Sequence, residues 1–122
     1  MDSVNVILTS MLLALAIFQL ILALGAPYGK AAWGGKHTVL PIGLRLASAA
    51  SSIFFLFISA LVWVYPSGLG PLSPYVIDLI LQFMVAYFTL GVVLNAISRS
   101  RVERLWAPYI LVMAVLLYAI IR

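Results

Sequence analysis

Four long apolar runs, separated by short polar segments, make up most of the chain. They predict membrane-spanning helices at about residues 4–24, 42–65, 74–97 and 101–121. At about 1.5 Å per residue, a run of roughly 20 residues is long enough to cross the hydrocarbon core of a bilayer. The pattern therefore predicts an all-α, polytopic membrane protein. We expect residues 1–122 to form a single domain of four helices in an antiparallel bundle.

Polar residues at the ends of these runs predict where the helices begin. Ser73 is a suitable N-cap with Pro74 in the first helical position, and Ser100 and Glu103 have the spacing of a capping box. The first run could instead be a cleaved signal peptide. However, the residues before it include Asp2 and no lysine or arginine, and the run exceeds the usual h-region of about 7–15 residues. We therefore expect it to be a retained helix.

Composition and charge agree with a membrane protein and set its predicted orientation. Only 8% of the residues are charged, whereas soluble domains carry about 25%. The formal net charge of +4 does not indicate nucleic-acid binding, because every lysine and arginine except Arg122 lies in or beside the first and third loops. The positive-inside rule places these loops in the cytoplasm and both termini outside it. We expect a multi-pass membrane protein whose basic loops face the cytoplasm.

The two basic loops form the predicted ligand-binding face. Glycines beside lysines can bind an anion through backbone N–H groups, and Glu103 could pair with Arg45 or Lys36, leaving arginines for an anionic lipid, a small anion or a partner protein. The alternative is a plain turn whose charges only set the topology. The candidate residues are Trp33, Gly34, Gly35, Lys36, His37, Arg45, Asn95, Arg99, Arg101, Glu103, Arg104 and Trp106.

Polar residues inside the spans form a second candidate set. They could line a narrow hydrophilic path, or the serines could let two helices pack closely. The residues are Gln19, Ser48, Ser52, Asp78, Gln82 and Thr89.

These sets favour a small non-catalytic protein over an enzyme. The chain has no cysteine and a single histidine, so we predict no metal site, no cofactor and no catalytic residue. We expect contact with the bilayer and its anionic headgroups, and a homodimer or a larger membrane partner. The alternative function is a homo-oligomeric channel or transporter for a small solute or ion.

Two loop segments also resemble a known group of proteins. "GAPYGKAAWGGKHTVLP", residues 25–41, and "LNAISRSRVERLWAP", residues 94–108, resemble the first and third loops of a group of short four-span bacterial membrane proteins. The shared motifs are Gly-Ala-Pro-x-Gly, Ala-Trp-Gly-Gly-x-His and Leu-Pro, then Ser-x-Ser-x-x-Glu-Arg and Trp-x-Pro. The resemblance implies a bacterial source and four spans, and it implies no activity.

Overall fold

The computed structural model describes residues 3–122 and contains four long helices. They are α1 (Ser3–Ala23), α2 (Ile42–Val64), α3 (Pro74–Ala96) and α4 (Arg101–Ile121). All four are long and apolar enough to cross a membrane. The predicted all-α, multi-pass membrane class is thereby confirmed.

Two serines fix the starts of α3 and α4. The Ser73 hydroxyl accepts a hydrogen bond from the Val76 N–H at 3.2 Å, and the Ser100 hydroxyl accepts one from the Glu103 N–H at 3.4 Å. Both N-caps agree with the sequence prediction. The capping box is only half formed, however. The Ser100 N–H donates to the Ser98 hydroxyl, which leaves the Glu103 carboxylate for other partners.

The helices pack as two antiparallel hairpins, α1 with α2 and α3 with α4. Contact between the hairpins runs mainly through α1 and α4, whereas α2 and α3 meet over a small area. The shared apolar core contains fully buried side chains from every helix, such as Leu12, Ile58, Leu81 and Met113. Because lipid tails are as apolar as these side chains, close van der Waals packing holds such a core together.

Serines allow α1 and α2 to approach closely. The buried Ser52 hydroxyl donates to the Ala16 carbonyl of α1 at 2.8 Å, and the buried Ser59 hydroxyl donates to the Leu56 carbonyl in its own helix. These side chains therefore lie inside the first hairpin and have hydrogen-bond partners there. The position of Ser52 corresponds to the alternative in which serines let two helices pack closely.

The first and third loops lie on the same side of the bundle. The Ser100 hydroxyl at the start of α4 donates to the Lys30 carbonyl of the first loop at 2.6 Å. Loop two, the start of α1 at Ser3 and the end of α4 at Ile121 lie at the opposite end of the helices. Large apolar side chains such as Ile17, Ile53 and Phe83 are exposed around the outside, where they would contact lipid.

Candidate functional site

The first loop adopts a tight left-handed turn against the start of α4. Trp33, Gly34 and Gly35 have φ angles of 51°, 85° and 73°, a backbone region that residues other than glycine rarely adopt. A Cβ atom on Gly35 would lie 2.5 Å from the Cβ of Ser100. The two glycines are therefore required by the turn and by the close approach of α4.

Trp33 is held in this strained conformation from two sides. Its indole Nε1–H donates to the hydroxyl of Ser48 on α2 at 2.9 Å. The next N–H, of Gly34, donates to the carboxylate of Glu103 on α4 at 3.0 Å. The turn thus connects the two hairpins, and strained residues of this kind persist only where the surrounding structure holds them.

Glu103 is a buried carboxylate with neutral partners. Its side chain is 8% exposed and lies in the first turn of α4, where the helix dipole favours a negative charge. One oxygen accepts from the Gly34 N–H and the other from the Ser98 hydroxyl. Within residues 3–122 no lysine, arginine or histidine forms an ion pair with it. The predicted pairing of Glu103 with Arg45 or Lys36 is therefore wrong.

Two of the candidate arginines cap helix ends instead of binding Glu103. The Arg45 guanidinium donates to the carbonyl of Ala23, the last residue of α1, at 3.0 Å. The Arg104 guanidinium donates to the carbonyl of Ser98, just after α3, at 2.9 Å. A cation at a helix C-terminus satisfies an orphan carbonyl and complements the dipole. These two arginines are thus already engaged in the structure.

The remaining basic residues of this side form what we call the basic rim. Their side chains are exposed and have no hydrogen-bond partner within the described chain; they are Lys30, Lys36, Arg99 and Arg101. His37 lies beside them, also exposed and without a side-chain partner in the same region. The rim is the part of the predicted face that has charge available for a ligand.

A cavity lies between the two hairpins, which we call the inter-hairpin cleft. Its volume is about 330 Å³, and aromatic and aliphatic side chains make most of its wall, including Phe18, Phe55, Phe88, Trp106 and Met113. The rings of Phe18 and Trp106 are 5.2 Å apart across the α1–α4 contact.

The cleft opens toward the surrounding bilayer. Exposed side chains of α3, namely Tyr87, Leu90 and Leu94, form part of its lining. They lie on the side of the bundle where α2 and α3 have little contact, and the Tyr87 ring packs edge-on against Phe54 of α2 there, with centroids 6.0 Å apart. A ligand could therefore enter sideways from the membrane, without passing through the loops.

The polar groups of the cleft lie toward its loop end. Gln19 contributes a buried amide oxygen that has no hydrogen-bond partner among residues 3–122. Asn95 uses its amide N–H₂ to donate to the Gly91 carbonyl at 2.8 Å, which leaves its amide oxygen without a donor in residues 3–122. Glu103 completes this end of the lining.

An open polar depression continues the cleft to the loop surface. We call it the vestibule; it is lined by Gly34, Leu94, Asn95, Ser98, Arg99 and Glu103. Three of these residues, Leu94, Asn95 and Glu103, also line the cleft. An apolar cavity therefore joins a polar one that contains both a carboxylate and a guanidinium.

The other intramembrane candidates lie far from this site. Asp78 accepts hydrogen bonds from the Tyr65 hydroxyl at 2.9 Å and the Gln82 amide at 2.7 Å, near the opposite membrane surface. Burial raises the pKa of Tyr65, which lies just beyond α2, and the hydrogen bond and charge of Asp78 raise it further. Thr89 is exposed and donates to the Val85 carbonyl of its own helix.

Apolar side chains separate the two polar groups of the bundle. Leu81, Met84 and Met113 are buried between the Asp78 network and the loop end of the cleft. Within the described chain the structure therefore does not join Gln19, Asp78 and Gln82 into one continuous path.

Sequence reasoning found individual members of the site but missed the cleft itself. Gln19, Asn95, Glu103 and the two tryptophans were candidates, whereas the role of Ser98 as a partner of Glu103 was not foreseen. Phe18 and Phe55 carry no signal that distinguishes them from core residues. The Ser-x-x-x-x-Glu spacing from Ser98 to Glu103, across a helix start, was the one pattern that could have indicated the buried carboxylate.

No protein-family model, curated protein or solved structure matches this chain. The resemblance of the two loop motifs therefore stays a prediction. The fold and the site define a small four-span membrane protein in contact with the bilayer.

Proposed function

We propose that this protein is a non-catalytic lipid-binding protein, which takes a hydrocarbon chain into the inter-hairpin cleft and the lipid headgroup at the loop side. The observation that carries the proposal is the cleft, an apolar cavity of about 330 Å³ with polar groups at one end. Small-molecule sites typically occupy roughly 300–1,000 Å³ and combine apolar walls with a few placed polar groups. The cleft has this character at the lower end of the size range.

Its lateral opening favours a membrane lipid over a water-soluble ligand. The exposed edge at Tyr87, Leu90 and Leu94 faces the bilayer, so a chain can enter without crossing water. A second chain of the same lipid can stay in the bilayer outside. The basic rim adds attraction for phosphate-bearing headgroups, which is worth about 1 kcal/mol for each lysine or arginine near an anionic surface.

We further propose the orientation that the positive-inside rule gives. The protein lies in the cytoplasmic membrane of a bacterium. Its basic loops face the cytoplasm, and both termini lie on the other side of the membrane. The headgroup of the bound lipid then belongs to the cytoplasmic leaflet. A homo-oligomeric channel or transporter is the competing function, and it requires subunit contacts to supply the polar path that one chain lacks between Gln19 and Asp78.

A matched pair of serine substitutions tests lipid binding. Ser51 lines the cleft and donates to the carbonyl four residues earlier, and exposed Ser10 makes the same kind of bond outside the cleft. The Ser51→Phe side chain would fill the cavity, whereas the Ser10→Phe side chain would extend into lipid. The measurement is native mass spectrometry of protein released from nanodiscs, which counts retained lipids and subunits together.

We expect wild type and Ser10→Phe to retain one lipid per chain. Ser51→Phe should lose at least nine-tenths of the bound lipid, which corresponds to a tenfold weaker affinity, or about 1.4 kcal/mol. Equal retention by all three proteins, or a wild type with no lipid, would contradict the proposal. Release as a ring of subunits without lipid would instead favour the channel.

A further inference from the structure

We infer that the lipid bound in the cleft has a zwitterionic headgroup with a primary ammonium, which pairs with Glu103 while the lipid phosphate pairs with Arg99. This inference rests on the proposed function and names its ligand class. It comes from the vestibule, where the carboxylate and the guanidinium line one depression at the mouth of the apolar cleft.

The buried carboxylate is the first argument. Glutamate is almost never buried unless it is paired, because an uncompensated charge away from water is costly. Glu103 is 8% exposed and has neutral partners, the Gly34 N–H and the Ser98 hydroxyl. Its two oxygens offer about four acceptor positions, so acceptor capacity is left over. A cationic hydrogen-bond donor in the vestibule would supply the missing countercharge.

The other polar groups favour a primary ammonium as that cation. One N–H of the Asn95 amide donates to the Gly91 carbonyl, its amide oxygen is left as an acceptor, and Gln19 adds a buried acceptor oxygen deeper in the cleft. A primary ammonium carries three N–H donors and matches a site that is rich in acceptors. A quaternary ammonium has no N–H and cannot form these bonds.

Arg99 supplies the complementary half of the site. Its guanidinium is exposed, lines the vestibule and has no partner in the described residues. Guanidinium groups bind phosphate in a bidentate manner. In a phosphoethanolamine headgroup the phosphate and the ammonium are separated by two carbons, so one headgroup can reach neighbouring groups of opposite charge. A purely anionic lipid would satisfy Arg99 but would face the uncompensated Glu103.

The test is a competition among headgroups with identical acyl chains. Nanodiscs contain equal amounts of phosphatidylethanolamine, phosphatidylcholine and phosphatidylglycerol, and native mass spectrometry counts each lipid that stays on the protein. We expect the wild type to retain the ethanolamine lipid about tenfold over both others, as one charge-assisted hydrogen bond predicts. Glu103→Gln should abolish this preference, since the amide keeps the shape but not the charge. Arg122→Gln, at the far end of α4, should retain it.

The outcomes separate the headgroup from the cleft. A wild type that retains all three lipids equally, and loses all of them in Ser51→Phe, would overturn the headgroup inference and leave the cleft as a lipid site. A wild type without bound lipid would overturn both. Preference for the glycerol lipid would overturn the headgroup inference, because the phosphate would then bind the basic residues without an ammonium on Glu103. The wild-type preference decides the inference even if Glu103→Gln fails to fold.

Discussion

At the residue scale, the indole of Trp33 links the strained first-loop turn to α2. Its N–H donates to Ser48, whose side chain is fully buried, and its backbone has a positive φ that tryptophan adopts only under constraint. Loss of this bond would release the turn from one of its two supports and leave a buried hydroxyl without its donor.

Trp33→Phe should therefore lower the free energy of unfolding by about 1 kcal/mol, the usual net worth of one hydrogen bond. Trp63→Phe is the matched control, because Trp63 is 54% exposed and its indole has no hydrogen-bond partner within residues 3–122. It should change the free energy by less than about 0.5 kcal/mol. Unfolding in mixed detergent micelles measures both, and equal effects would contradict the role given to Trp33.

A second prediction concerns the space available at Gly35. The left-handed backbone and the contact with Ser100 leave no space for a methyl group, so Gly35→Ala should cost about 2 kcal/mol and displace the start of α4. Gly43 is the comparison, because a Cβ there meets no atom within 4 Å and the residue is helical. Gly43→Ala should be neutral or stabilising by about 0.5 kcal/mol. Equal thermal stability of the two variants would contradict this view of the turn.

At the element scale, the four helices could be predicted from sequence but their lateral arrangement could not. The lengths of the apolar runs and the caps at Ser73 and Ser100 act locally, so they indicate where helices begin and end. Membrane helices are apolar on all sides, so periodicity does not distinguish a lipid-facing residue such as Phe83 from a buried one such as Phe88. The small contact between α2 and α3, and hence the cleft, follows from tertiary packing alone.

The polar contacts of the loops were misjudged for a similar reason. Opposite charges on one side of a membrane suggest an ion pair, which led to the expected partnership of Glu103 with Arg45. In the structure the Arg45 guanidinium instead donates to the Ala23 carbonyl at the end of α1. Carbonyls in the last turn of a helix have no partner within the helix, so a nearby side-chain donor satisfies them. The N–H of Gly34, exposed by the left-handed turn, takes the place of the arginine on Glu103.

At the scale of the whole molecule, two internally packed hairpins meet along α1 and α4, and the cleft exists because they separate elsewhere. A hydrogen bond crosses this contact near the middle of both helices: the Tyr109 hydroxyl of α4 donates to the Met11 carbonyl of α1 at 2.6 Å. Tyr109 also packs edge-on against Trp106, a wall of the cleft. The geometry of the cleft therefore depends on the contacts of Tyr109 with α1 and with Trp106.

Tyr109→Phe should remove the hydrogen bond between α4 and α1 while keeping the aromatic ring. Hydrogen bonds between membrane helices average about 0.6 kcal/mol, so we expect a loss of that order in stability. We also expect several-fold weaker lipid retention, since the Trp106 wall would lose its support. Tyr118→Phe serves as the control, because Tyr118 is exposed on the same helix and its hydroxyl has no partner in the described chain. If Tyr109→Phe were less stable yet retained lipid as wild type does, the cleft would not depend on the hydrogen bond between α1 and α4. If neither property changed, the hairpins would be held by apolar packing alone.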